Sequence, residues 1–176
     1  MRDFLSWKEL EMGEHAETAV LAGGCGFIMQ QLLRQPDGVI STRTGWTGGT
    51  GDNPTEEASG GHAEAVEVIF DSQRLSYRRL LDVFFLVHRP DLDADVVGSI
   101  YRSEIFYTSV EQQQVAEEMI RDVDASKHWL GRTVTRITPA GRFWEMEPED
   151  QDYLQRFPGG CEPPFPRREE QVQASL

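Results

Sequence analysis

Hydrophobic and polar positions follow two rhythms along this chain, and the changes between them mark out the elements. Thr18, Ala19, Val20, Leu21 and Ala22 form a short, mostly apolar run that suits a buried strand. After Gly23 and Gly24, the apolar residues Phe27, Ile28, Met29, Leu32 and Leu33 recur at helical spacing. Pro36 stops that helix, because proline lacks an amide donor and crowds the turn before it. Val39 to Thr44 is rich in β-branched side chains and reads as a second strand. Ala63 to Phe70 alternates, with Val66, Val68 and Phe70 on one side, and reads as a third.

The second half continues the mixture. Ser76 caps a helix that runs to about His88, with Leu80, Leu81, Phe84 and Val87 facing inward. Pro90 and the acidic run Asp91, Asp93, Asp95 make a loop. Arg102 to Tyr107 reads as a strand, and Ser109 with Gln112 is a capping-box signature. The helix behind it carries Val115, Met119 and Val123 on one face. Thr133 to Thr138 predicts a further strand, and Pro139-Ala140-Gly141 a turn. Strands and helices mix in non-uniform order, so the fold class is α+β, a single domain with a mixed sheet and packed helices. Residues 1–16 are expected to be an extension, 17–157 the folded domain, and 158–176 a mobile, Pro- and Gly-rich tail that carries Cys161.

Composition narrows the function classes. The net charge of −13 argues against a nucleic-acid binder and against an anionic membrane surface as partner. No stretch approaches the roughly 18 apolar residues of a membrane span. The charged first twenty residues do not resemble a signal peptide, so the chain is read as cytoplasmic. Hydrophobic residues at 39% of the chain suit a folded domain with a sizeable core.

Candidate chemistry gathers around glycines. Cys25 follows a glycine turn at a helix start, where the helix dipole and unpaired amides favour thiolate. It reads equally well as a small buried residue packed between strand and helix. Gly45, Gly48, Gly49, Gly51, Gly60 and Gly61 define a loop too long for a tight turn, and such loops are often functional. At its end Gly61-His62-Ala63-Glu64 places a carboxyl at a strand start. Semi-buried, it could be a general acid; solvated, it is only a strand-end carboxylate. Tyr101 offers a phenol donor or an ordinary edge tyrosine. Cys161, on the tail, could swing to another sulfur or be a spectator. The two cysteines and four histidines show no metal-ligand spacing, so no metal is expected.

Taken together, these segments resemble the A-type peptide methionine sulfoxide reductases from about Ala19 to Cys161. Gly24-Cys25, Gly45-Trp46-Thr47-Gly48-Gly49, Gly61-His62-Ala63-Glu64, Gly98 with Tyr101-Arg102-Ser103, and Phe143, Glu147 and Gln151-Asp152-Tyr153 match family segments in order. The resemblance implies a ferredoxin-like core and reduction of methionine-S-sulfoxide, free or in peptides. It makes Cys25 the nucleophile, Glu64 the acid, Tyr101 a donor to the oxygen and Cys161 the resolving cysteine. It implies no bound cofactor, and an external thiol reductant, thioredoxin, as partner.

The departures fall on the substrate wall. Gly26-Phe27 stands for the family's Phe-Trp, Trp46 for a tyrosine and Ile100 for a glutamine. Asp150 stands for a histidine, and Val96 for a substrate-binding aspartate, with Asp95 one residue away. Gly26, Phe27, Trp46 and Asp95 are therefore the expected substrate-binding positions. The altered wall leaves two other readings: a thiol enzyme of the same fold acting on a different oxidised sulfur compound, and a non-catalytic binding protein.

Overall fold

Alternation along the first strand separates two layers of apolar side chains. In β1 (Ala16–Gly23), Ala19 and Leu21 join one buried cluster while Val20 and Ala22 join another on the opposite face, as a period of two requires. β3 (Ala63–Asp71) repeats the division, with Val66, Val68 and Phe70 in the first cluster and Ala63 and Ala65 in the second. The computed structural model describes residues 13–161. The expectations for most of the amino-terminal extension and for the tail after Cys161 lie outside the described residues.

With β2 (Val39–Thr47), β4 (Ser103–Tyr107), β5 (Arg136–Pro139) and β6 (Trp144–Glu145), the strands form one sheet in the order β5-β4-β1-β3-β2-β6. The central four, β4-β1-β3-β2, are antiparallel throughout. Helices α1 (Gly26–Leu33) and α2 (Tyr77–Val87) follow β1 and β3, which makes the split β-α-β pattern of a ferredoxin-like core. β5 adds a parallel edge to β4, and β6 an antiparallel edge to β2. The fold is α+β, as its sequence indicates.

The larger cluster lies beneath α1, α2 and α4 (Val110–Ser126), and includes the fully buried Phe70 and Phe84. Each such side chain stabilises the fold by about 1.5–3 kcal/mol relative to exposure. Ser76 Oγ accepts the Arg79 amide at 3.1 Å and starts α2. Ser109 Oγ likewise accepts the Gln112 amide. Gln112 does not close the expected box on Ser109. Its side chain accepts the Thr108 amide at 3.0 Å and donates to the Thr18 carbonyl at 2.9 Å, pinning α4 to β1.

Three boundaries differ from the sequence expectation. β2 runs on through Gly45, Trp46 and Thr47, because these residues pair with β3 on one side and the first two also with β6 on the other. β5 begins at Arg136, since the Thr133 amide is taken by Asp124 and the Val134 amide by the Pro90 carbonyl. The acidic run is not all loop. Asp93 caps the short helix α3 (Ala94–Val97), which leads into a 3-10 turn at Ser99–Tyr101. Among the described residues, no helix is long and apolar enough to cross a membrane.

Candidate active site

The site sits where β1 ends and α1 begins. Gly24 turns the chain there with φ +122°, a conformation that a side chain would strain. Cys25 is the residue that caps α1, with its side chain half-buried. Glu64 reaches the same point from β3. It shares a face with Val66, Val68 and Phe70, so it points toward the helix layer, at the strand end beneath α1. Its Oε2 accepts the Gly26 amide at 2.7 Å, one of the amides that the first turn of a helix leaves unpaired.

Burial decides the charge state of these groups. Glu64 is 8% exposed, and burial pushes its carboxyl up to about 7, against the Gly26 hydrogen bond and with added repulsion from Glu56 and Asp150. It therefore carries a proton for about half the time near neutral pH. Burial also pushes the Cys25 thiol up to about 12, with contributions from Glu64 and Cys161, although the Ile28 amide favours the thiolate. The lowered thiol expected of a helix start is thus reversed. Tyr101, also pushed up to about 12 by burial and then by Glu64, is a neutral phenol.

Cys161 lies beside Cys25, with the two sulfurs 3.5 Å apart. Its segment is held by side chains that the local sequence reading passed over. Gln151 accepts the Thr44 amide at 2.9 Å and donates to the carbonyls of Thr44 and Met146 at 2.8 and 3.1 Å. The Asp152 amide donates to Gln30 Oε1 at 3.0 Å, and its carboxylate accepts from Arg34 at 2.6 Å. α1, which Cys25 caps, is thereby tied to the segment that leads to Cys161. Asp152 has φ +54°, which turns the chain into α5 (Tyr153–Arg156).

Cys25, Glu64, Tyr101 and Cys161 all line one cleft of about 510 Å³. Phe27 and Trp46 line it too. Trp46 pairs across the sheet with Glu64 on one side and Trp144 on the other, and Phe27 stacks on Tyr153 at 4.6 Å. Two expected binding positions lie elsewhere. Asp95 is exposed in α3 and is not among the lining residues; the cleft takes Glu56 and Asp150 instead. Gly26 is buried and turned to the neighbouring strand, where a Cβ would meet Thr44 Oγ1 at 2.2 Å. A side chain at residue 26 would therefore press on Thr44. Glu56, Thr44 and Tyr153 carry no local signal that distinguishes them in sequence; only the ordered family pattern flags Tyr153. Among the described residues, no group of three or more His, Cys, Asp or Glu could hold a metal ion.

Comparisons with known proteins identify the family and the fold. Residues 17–174 match the family described as peptide methionine sulfoxide reductase. A peptide methionine sulfoxide reductase MsrA of Nocardia farcinica is 53% identical over 152 residues, covering 85% of this chain and 89% of its own. The methionine sulfoxide reductase A of Corynebacterium diphtheriae superposes with a TM-score of 0.72 at 28% identity, covering 86% of this chain and 79% of its own. Reduced Mxr1 of Saccharomyces cerevisiae shares the fold, with a TM-score of 0.79 at 23% identity over 88% of this chain and 94% of its own. Mxr1 is also solved in complex with Trx2, with a TM-score of 0.60 at 20% identity over 88% of this chain and 92% of its own.

Proposed function

Because the chain belongs to the peptide methionine sulfoxide reductase family, we propose that it reduces methionine-S-sulfoxide, free or in peptides, by a two-thiol cycle. Cys25 is the nucleophile and Cys161 the resolving thiol. The observation that carries this reading is one cleft holding two sulfurs 3.5 Å apart and a carboxyl bonded to the amide next to the first of them.

In the first step the Cys25 sulfur attacks the sulfoxide sulfur. As the S–O bond weakens, charge grows on the oxygen, and Glu64 and the Tyr101 phenol donate to it. A thiol raised to about 12 enters as S–H. Its proton passes to Glu64 as the proton of Glu64 passes to the oxygen. The oxygen then moves from the methionine sulfur to the Cys25 sulfur, the S–S bond made by the attack breaks with its electron pair going to the departing methionine, and Cys25 is left as sulfenic acid. Next Cys161 attacks the sulfenic sulfur, water departs and a Cys25–Cys161 disulfide forms. An external dithiol, thioredoxin, then reduces the disulfide by exchange and is itself oxidised. The oxygen and the electrons balance with no bound cofactor.

Steady-state turnover tests the reading. With dithiothreitol as reductant, the protein is expected to convert the S epimer of a blocked methionine sulfoxide to methionine, counted by chromatography. Protein that leaves both epimers untouched would overturn it.

A further inference from the structure

The cleft above Cys25 gathers negative charge. Its carboxylates are Glu56, Glu64, Glu145, Glu147 and Asp150, and no lysine, arginine or histidine lines it among the described residues. Among the described residues the guanidinium groups of Arg43, Arg142 and Arg156 come near, and all three are engaged, Arg156 with the carbonyls of Glu149 and Gln151 on either side of Asp150. Arg43 is shared between Glu67 and Glu145, each at 2.7 Å, and Arg142 lies 3.6 Å over the Trp144 ring. Glu56, Glu147 and Asp150 make no ion pair among the described residues.

These carboxylates come from two distant segments. Glu56 belongs to the loop between β2 and β3, and Glu147 and Asp150 to the chain before α5. Glu56 and Asp150 both stand close enough to Glu64 to oppose its ionisation. A substrate seated with its sulfoxide between Cys25 and Glu64 therefore passes their field. Trp46, Trp144 and Tyr153 line the same cleft, but Trp144 already carries the Arg142 guanidinium and Tyr153 packs on Phe27 and Phe157, so the carboxylates carry the attraction for a cation.

We propose that the protein selects methionine sulfoxide with a cationic group beside it, and disfavours methionine sulfoxide flanked by Asp or Glu. The cation has two sources, the side chain of a neighbouring Lys or Arg and the free α-ammonium of an amino-terminal residue. This inference rests on the function proposed above.

The test compares kcat/KM for short peptides with a central methionine sulfoxide. Three are blocked at both ends and carry Lys, Ser or Glu on each side; a fourth is the Ser peptide with a free amino terminus. The full-length protein is expected to prefer Lys over Glu by about tenfold or more at low ionic strength, and the ratio shrinks as salt screens the field. The free-terminus peptide against its blocked twin reads the α-ammonium source. The double variant Glu56→Gln, Asp150→Asn is expected to bring the Lys-to-Glu ratio toward one. Equal rates for the Lys and Glu peptides, with the blocked Ser peptide turned over, would overturn the inference and leave the reductase reading standing. A ratio that persists in the double variant would overturn the assignment to these carboxylates. No turnover of any peptide would overturn the reductase reading and this inference with it.

Discussion

The sulfurs of Cys25 and Cys161 stand 3.5 Å apart although 136 positions separate the two residues. A disulfide has its sulfurs about 2.05 Å apart, so closure needs only about 1.5 Å of approach. Gly159 and Gly160 immediately before Cys161 give the backbone freedom for that step, and Gly159 already has φ +80°. Cys161→Ser is therefore expected to release one methionine per protein and then stop under thioredoxin, because the sulfenic acid has no partner. Cys25→Ser is expected to release none. Full thioredoxin-driven turnover by Cys161→Ser would remove Cys161 from the resolving role.

The pH profile follows from Glu64. The proton donor is the acid form, and the carboxyl is pushed up to about 7. Activity is thus expected to fall as pH rises through about 7, and the Cys25 thiol, near 12, supplies no compensating rise in that range. Glu64→Gln cannot relay a proton and should lose about 10²- to 10⁴-fold in kcat, together with the pH limb. Glu56→Gln removes a like charge and should move the limb to lower pH. A limb that stays in place in Glu64→Gln would assign it to another group.

Legibility in the sequence divided along physical lines. The alternation of Val66, Val68 and Phe70 and the helical spacing of Leu80, Leu81 and Phe84 report burial directly, so strands and helix faces were readable. Cys25, Glu64 and Tyr101 were readable as residue types next to glycine turns. The charge state of Cys25 was not. A helix start favours thiolate by about 0.3–1 kcal/mol, less than one pKa unit. Burial moves a thiol by several units in the other direction, and burial at residue 25 depends on what the rest of the fold lays over it. Asp95 lies outside the cleft for a related reason. One residue of offset, with Asp93 capping a helix there, turns it into solvent. The place of Glu56 in the cleft depends on the path of a loop that no periodicity encodes.

Gly26 and Thr44 are coupled by contact, and this gives a test of the rebuilt wall. A Cβ at residue 26 would meet Thr44 Oγ1 at 2.2 Å. Gly26→Ala is expected to destabilise the fold by about 1–3 kcal/mol, the usual cost of overpacking, and to lower activity by disturbing the amide that binds Glu64. Adding Thr44→Ala removes the clashing oxygen, so the double variant should recover part of both losses. Purely additive effects in the double-mutant cycle would contradict the contact.

His88 gives stability a pH dependence of its own. It is buried, bridges the Phe84 carbonyl and the Ser103 hydroxyl, and is pushed down to about 4 by burial. The unfolded chain protonates histidine near pH 6.5. The stability from neutral His88 is therefore complete above about pH 6.5 and is lost as pH falls toward 4, by at most about 3 kcal/mol. Glu64, raised when folded, acts in the opposite sense over an overlapping range, so the comparison needs a variant. Urea unfolding of the wild type and of His88→Asn is expected to show a steeper loss in the wild type between about pH 6.5 and 4.5. Parallel curves would contradict a neutral His88.

The most direct test of the two-thiol cycle is a single turnover without reductant. Prereduced protein meets the S and R epimers of a blocked methionine sulfoxide separately, and methionine and free thiols are counted. The account predicts that the S epimer yields one methionine per protein with loss of both thiols, and that peptide mapping finds Cys25 joined to Cys161. Intact sulfoxide with both thiols still free would contradict it.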